Sequence, residues 1–79
     1  MISIKDLLSR IRWDKNLNSE DYALYYFDRI SKTLKKIRYS DIERVEGNFI
    51  IIKQQGKETR VPLHRIRRVE EEGVIVWQR

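Results

Sequence analysis

Tyr22-Ala23-Leu24-Tyr25-Tyr26-Phe27 is apolar or aromatic at six successive positions. Side chains along a strand alternate between two faces, so a stretch this uniform finds partners on both sides of a sheet. Ser31-Lys32-Thr33 turns it into a hairpin partner over Leu34 to Tyr39. Asn48 to Lys53 is the most apolar strand, and Gln54-Gln55-Gly56-Lys57 turns it into Glu58 to Val61, where Pro62 ends the ladder for want of an N–H. Ile66 to Glu70 and Val74 to Trp77 form a last hairpin around Glu71-Glu72-Gly73. Between these strands, Ser40-Asp41-Ile42-Glu43 has the capping-box pattern and Gly47 stands where a helix would stop, which predicts a helical turn or two over residues 41–46.

Upstream, Ile4, Leu7, Leu8 and Ile11 fall at i, i+3, i+4 and i+7, the apolar stripe of a helix, with Ser3 placed to cap it. The stripe stops at Ile11, and residues 14–19 are polar turn material. The expected fold class is therefore α+β: one N-terminal helix docked on a strongly curved antiparallel sheet, or a small barrel, of about six short strands. No spacing suits a βαβ unit and no internal repeat is evident. At 79 residues the chain reads as a single domain, residues 1–79.

Composition removes several chemistries. There is no cysteine, hence no disulfide and no thiol nucleophile, and one histidine cannot complete a structural zinc shell. Gly47, Gly56 and Gly73 stand alone, so no glycine-rich phosphate loop is present. The longest apolar run, Phe49-Ile50-Ile51-Ile52, is far short of the ~20 residues that cross a bilayer. No charged segment followed by an apolar one opens the chain, so a cytoplasmic protein with no membrane partner is expected. Neither a cofactor nor a metal is called for. Asp14, Glu20, Asp21 and Asp28, flanking one loop and its strand, are the only plausible carboxylate group for a metal site, and solvated loop carboxylates are the commoner reading.

Charge is uneven. Residues 31–69 carry eleven basic groups against four acidic, a net of +7 in a chain whose total is +5. Such a block suits a polyanion, most commonly nucleic acid. Within it, Pro62-Leu63-His64-Arg65-Ile66-Arg67-Arg68 gathers three arginines and the sole histidine. Pro62 frees backbone amides, and arginine forks grip phosphate oxygens in pairs. At the helix exit, Arg12, Trp13 and Asp14 form a second constellation. Trp13 reads either as a base-stacking platform or, the commoner fate of such a residue, as a plug between helix and sheet. Tyr26 invites the same two readings, and Asp28 stands near a strand end where a carboxylate orients an arginine. Lys35, Lys36, Arg38 and Lys53 are placed to track a phosphate backbone.

Arg10-Ile11-Arg12-Trp13-Asp14, Tyr26-Phe27-Asp28-Arg29, Pro62-Leu63-His64-Arg65-Ile66 and Val74-Ile75-Val76-Trp77, in that order along the whole chain, resemble the RNA cyclic group end recognition domain, a family of small archaeal proteins. The resemblance implies binding of RNA termini that carry a 2′,3′-cyclic phosphate, in the company of an RNA-processing enzyme, and with the residue inventory it gives the expectation of an RNA 3′-end-binding domain without catalysis of its own. Its matched positions are Arg12, Trp13, Asp14, Tyr26, Asp28, Pro62, His64 and Arg65. Phosphate binding then falls to His64, Arg65, Arg67 and Arg12, stacking to Trp13 and Tyr26, and orientation to Asp14 and Asp28. Two other functions fit the residues: a metal-dependent phosphoesterase built on Asp14, Asp28 and His64, and an adaptor that docks an acidic protein on the basic block.

Overall fold

The computed structural model of the protein describes residues 2–79. Its helix, α1 (Ile4–Trp13), begins where Ser3 Oγ accepts the Asp6 amide at 3.1 Å, satisfying one donor that a helix start leaves open. Ile4, Leu7, Leu8 and Ile11 are its buried stripe. At the exit the Asp14 amide closes on the Arg10 carbonyl at 2.9 Å, and Arg10 and Arg12 occupy the last turn, where the helix dipole favours cations. No helix among the described residues is long and apolar enough to cross a membrane.

Seven strands follow among the described residues: β1 (Tyr22–Asp28), β2 (Thr33–Arg38), β3 (Ile42–Glu46), β4 (Phe49–Gln54), β5 (Lys57–Pro62), β6 (Ile66–Glu71) and β7 (Val74–Gln78). Every pairing is antiparallel, and the order is β2-β1-β6-β7 in one sheet and β3-β4-β5 in the other. The class is α+β, as the sequence indicates. Two details differ: there is one strand more than expected, and the strands form two separate sheets that do not close into a barrel. In the turns Gln55-Gly56 and Glu72-Gly73 both central residues have positive φ, the conformation whose twist matches a two-residue hairpin.

The extra strand is β3, over the residues expected to be helical. A one-turn 3-10 helix, Tyr39–Asp41, leads directly into it. Its pairing with β4 then skips Glu43, so that Ile42 faces Ile52 while Arg44 faces Ile51. In a regular strand residues three apart lie on opposite faces. The inserted residue returns Ile42 and Val45 to one face, where both pack on the core, and their spacing imitates a helix in the sequence.

The same device recurs 24 positions later, at Ile66. There β6 follows the 3-10 turn Leu63–Arg65, its pairing with β1 skips Arg67, and Ile66 and Val69 are both fully enclosed. Ile42-Glu43-Arg44-Val45-Glu46 and Ile66-Arg67-Arg68-Val69-Glu70 share the pattern Ile-x-Arg-Val-Glu, and in each the arginine pairs with the glutamate two residues on. The chain therefore does contain an internal repeat, made visible by its shared turn and bulge.

One core joins Leu7, Leu8 and Ile11 of α1 to Leu24, Ile37, Ile66, Val69 and Trp77 of the larger sheet and to Ile50, Ile52 and Val61 of the smaller. Two hydrogen bonds tie the helix region to the rest of the fold: Trp77 Nε1 of β7 donates to the Ile2 carbonyl at 2.8 Å, and the hydroxyl of Tyr39, in the 3-10 turn before β3, donates to the Leu8 carbonyl at 3.1 Å. The plug expected at Trp13 is thus supplied by Trp77. Trp13 lies two residues past the end of the stripe, roughly 200° around the helix from Ile11, and is 73% exposed. Trp77→Ala should therefore cost about 3–5 kcal/mol in a denaturant melt, whereas Trp13→Ala should stay within about 0.5 kcal/mol of the parent. The opposite ranking would contradict this packing.

Candidate nucleic-acid interface

Strand β1 sorts its aromatic residues by parity. Tyr22 and Leu24 are buried and Tyr26 packs partly against the same core, so this parity faces inward. Ala23, Tyr25 and Phe27 face outward, beside Arg38, Lys36 and Leu34 of β2 in the aligned register. On the other side Tyr25 pairs with Arg68 of β6, whose guanidinium carbon stands 4.2 Å from the tyrosine ring centroid. Arg67, the residue the register skips, places its guanidinium carbon 5.9 Å from the centroid of Phe27 and donates through Nη1 to the His64 carbonyl at 3.0 Å. Tyr26, expected to stack on a base, belongs to the inner face. Tyr25 and Phe27 hold the outer one, an assignment that a strand apolar at both parities conceals.

The 3-10 turn Leu63–Arg65 packs against β1, just beyond the last β1–β6 pair, Tyr26 with Ile66. Its backbone is clamped. The Leu63 amide, expected to be free for an anion, donates to the Asn48 carbonyl at 2.8 Å. From the chain end, Arg79 donates through Nε to the Ile66 carbonyl at 2.9 Å, through Nη2 to the Leu63 carbonyl at 3.3 Å, and through its backbone amide to the Arg67 carbonyl at 3.0 Å. Against this fixed frame, Arg65 is half-buried, and its Nε is enclosed without a hydrogen-bond partner among the described residues. Leaving such a donor unpaired costs about 1–3 kcal/mol. His64 is exposed and opens onto a separate cleft of about 340 Å³ shared with Ser3, Lys5 and Arg79.

The other anticipated residues fall into three further places. At the helix exit Arg12 lies 5.3 Å from the Trp13 ring centroid, and the pair separates a cleft of about 410 Å³, bounded also by Lys5, Ser9 and Arg44, from one of about 320 Å³ reaching Asp14 and Ser19. Asp14 Oδ1 accepts the Asn16 amide at 2.9 Å, so this carboxylate shapes the turn. Tyr39 borders both clefts, and burial raises its pKa while Arg12 pulls it back. In the β1–β2 hairpin, Asp28 Oδ2 meets Lys35 Nζ at 2.8 Å and Oδ1 accepts the Ile30 amide at 3.0 Å. Lys35 first, and then that amide, hold the Asp28 carboxyl below its ordinary pKa. Asp28 thus engages a lysine and its own turn, where an arginine was expected, and Lys35 is drawn away from the other tracking residues.

Lys36, Arg38 and Lys53 do come together, in a groove of about 680 Å³ completed by Asp41, Gln54 and Lys57. Arg38 is engaged by Asp41 at 3.1 Å, whereas Lys36, Lys53 and Lys57 have no carboxylate partner among the described residues. Lys57 was missed in the sequence because it follows Gln54-Gln55-Gly56 and reads as turn material. Its only advance signal was its place in the +7 block. Asp14, Asp28 and His64 lie apart, and no three His, Asp or Glu side chains among the described residues are grouped to hold a metal ion.

Comparison with known proteins adds a family to this geometry. The chain is 32% identical over 81 residues to UPF0248 protein SSO2687 of Saccharolobus solfataricus, an alignment covering 99% of this chain and 98% of that one. It is 33% identical over 78 residues to a UPF0248 protein of Metallosphaera sedula, covering 99% and 94%, and 31% identical to UPF0248 protein M1425_2629 of Saccharolobus islandicus, covering 99% and 100%. No solved structure gives a significant match. The family model described as the MJ1316 RNA cyclic group end recognition domain matches residues 1–79, and with relatives aligned over nearly their full length, the chain belongs to that family.

Proposed function

We propose that the protein binds RNA 3′ ends and takes a terminal phosphate, preferably a 2′,3′-cyclic one, at the corner formed by Leu63–Arg65 and the start of β6. The observation that carries this reading is the enclosed, unpartnered Nε of Arg65. A guanidinium carries five N–H donors and no acceptor, so a residue with one N–H buried and unpaired in a rigid frame suits an anion that can reach it by displacing its cover. Arg67, released by the bulge, follows two residues on with its guanidinium toward Phe27 and the His64 carbonyl, and His64 adds a donor-capable side chain on the same turn, facing a cleft of its own. The family name agrees with this chemistry. Arg12 and Trp13, in their own clefts, are available to a more distant part of the RNA.

A dedicated corner differs from a basic surface in what it discriminates. Binding one labelled RNA oligomer with hydroxyl, 3′-phosphate and cyclic-phosphate termini should show a preference for the cyclic end of roughly tenfold to more than a hundredfold, the worth of one or two charge-assisted hydrogen bonds at about 1.5–3 kcal/mol each. Arg65→Ala and His64→Ala should abolish the preference, and Arg65→Lys should not restore it, because a point charge lacks the fork. Lys36→Ala should lower affinity for all three ends alike. Equal affinity of the parent protein for the three ends would refute end recognition.

The same atom generates an opposed effect on stability. If Arg65 is held open for a ligand, Arg65→Met removes an unpaired buried donor while keeping an apolar stem of similar length. Its melting temperature should equal or exceed that of the parent even as the end preference disappears. A drop of several degrees would show that Arg65 acts mainly as a structural residue.

A further inference from the structure

We propose that the outer face of the four-stranded sheet is a stacking platform for the bases of single-stranded RNA, with Tyr25 and Phe27 as its two stations. This rests on the end-binding reading only for the direction in which the strand would run, and the surface stands on its own observations. A sheet with one wet face is expected to carry polar residues there. Here the outward positions of the interior strand β1 are Ala23, Tyr25 and Phe27, flanked by Leu34 at 43% exposure and Ile75 at 49%. The buried core gathers on the opposite face together with α1, and none of these outward residues belongs to it.

The border of this apolar patch is mostly cationic, its one carboxylate being Glu70 beside Ala23, which pairs with Arg68 at 2.8 Å. Lys36 and Arg68 are the direct cross-strand neighbours of Tyr25 on either side, which makes a row about 10 Å wide at the usual strand spacing. Phe27, two residues along and about 7 Å away, has Leu34 on one side and the bulged Arg67 on the other. Aromatic faces accept any base, and arginines beside them add cation–π and phosphate contacts. Lys36 and Arg38 belong at once to this face and to the groove that continues to Lys53 and Lys57, so the positive track leaves the sheet at its β2 edge. At the other end Arg67 adjoins the Leu63–Arg65 turn. Charge complementarity selects a polyanion, and the outward, half-buried rings of Tyr25 and Phe27 select one whose bases are unstacked, which duplexes do not offer.

The test uses the full chain and a hydroxyl-ended RNA hexamer, compared with the same hexamer carrying abasic sites at its internal positions. Parent protein should bind the intact hexamer at least tenfold more tightly than the abasic one. Tyr25→Ala and Phe27→Ala, with folding checked by circular dichroism, should each lose about five- to a hundredfold and by the same factor on hydroxyl and cyclic-phosphate ends. If an alanine variant fails to fold, Tyr25→Leu and Phe27→Leu keep apolar cover and should still lose most of the intact-over-abasic ratio. Because the hexamer ends in a hydroxyl, loss of end preference leaves this result untouched, and the two ideas fail separately. Equal binding of intact and abasic RNA, or competition by an acidic peptide as strong as by RNA of equal charge, would overturn the platform.

Discussion

At Arg67 the pairing of β1 with β6 slips by one residue, and the larger sheet depends on that slip. Without it, Ile66 and Val69 would lie on opposite faces, and one of two fully enclosed core residues would turn to water. With it, both stay inside, Arg68 stays outside over Tyr25, and Arg67 is released from the ladder to lie near Phe27 and bond the His64 carbonyl. A bulge here therefore maintains the core and aims a cation in one step. In the sister strand β3 the equivalent residue is Glu43, which brings no cation, so the two copies of the motif share their packing and differ in charge.

Electrostatics along the chain follow a consistent pattern. Asp28, Asp41, Glu46, Glu58 and Glu70 each engage a basic side chain close by in the fold. Exposed pairs of this sort contribute little stability, about 0–1 kcal/mol. Their larger effect is selective: they neutralise Lys35, Arg38, Arg44 and Arg68 in part, while Lys32, Lys36, Lys53, Lys57, Arg60, Arg65 and Arg67 have no carboxylate partner among the described residues. Three of these unpaired cations, Lys36, Lys53 and Lys57, line the groove at the β2 edge, and Arg65 and Arg67 stand at the Leu63–Arg65 corner.

The sequence exposed the elements whose periodicity is regular. Ile4 to Ile11 announced the helix, and the hairpins around Gly56 and Gly73 announced four strands. What it hid traces to the bulges and to parity. Ile42 and Val45 imitate a helix because Glu43 is inserted between them, and the Ile-x-Arg-Val-Glu repeat is too short to be noticed without its matching turns. Tyr25 and Tyr26 are adjacent, so only the register shows which one faces solvent. Trp77 takes the plug role expected of Trp13, and its long-range bond to the Ile2 carbonyl spans 75 residues and leaves no local trace. Of the anticipated site, His64 and Arg65 stand on one turn with Arg67 just after it, although His64 opens onto a cleft of its own, and Lys36, Arg38 and Lys53 line one groove. Arg12, Trp13, Asp14 and Asp28 fall elsewhere, since side chains separated by a whole strand cannot be placed from spacing alone.

The central claim is that RNA meets this domain on one continuous surface, from the Leu63–Arg65 corner across the outer sheet face. The most direct measurement is a backbone-amide NMR titration of the labelled protein with a trinucleotide ending in a 2′,3′-cyclic phosphate. The account predicts shifts confined to residues 63–68, to Tyr25 and Phe27, and to Lys36 with its neighbours, while the clefts beside Trp13 stay quiet. Shifts centred on Arg12, Trp13 and Arg44, with the sheet face unmoved, would contradict it.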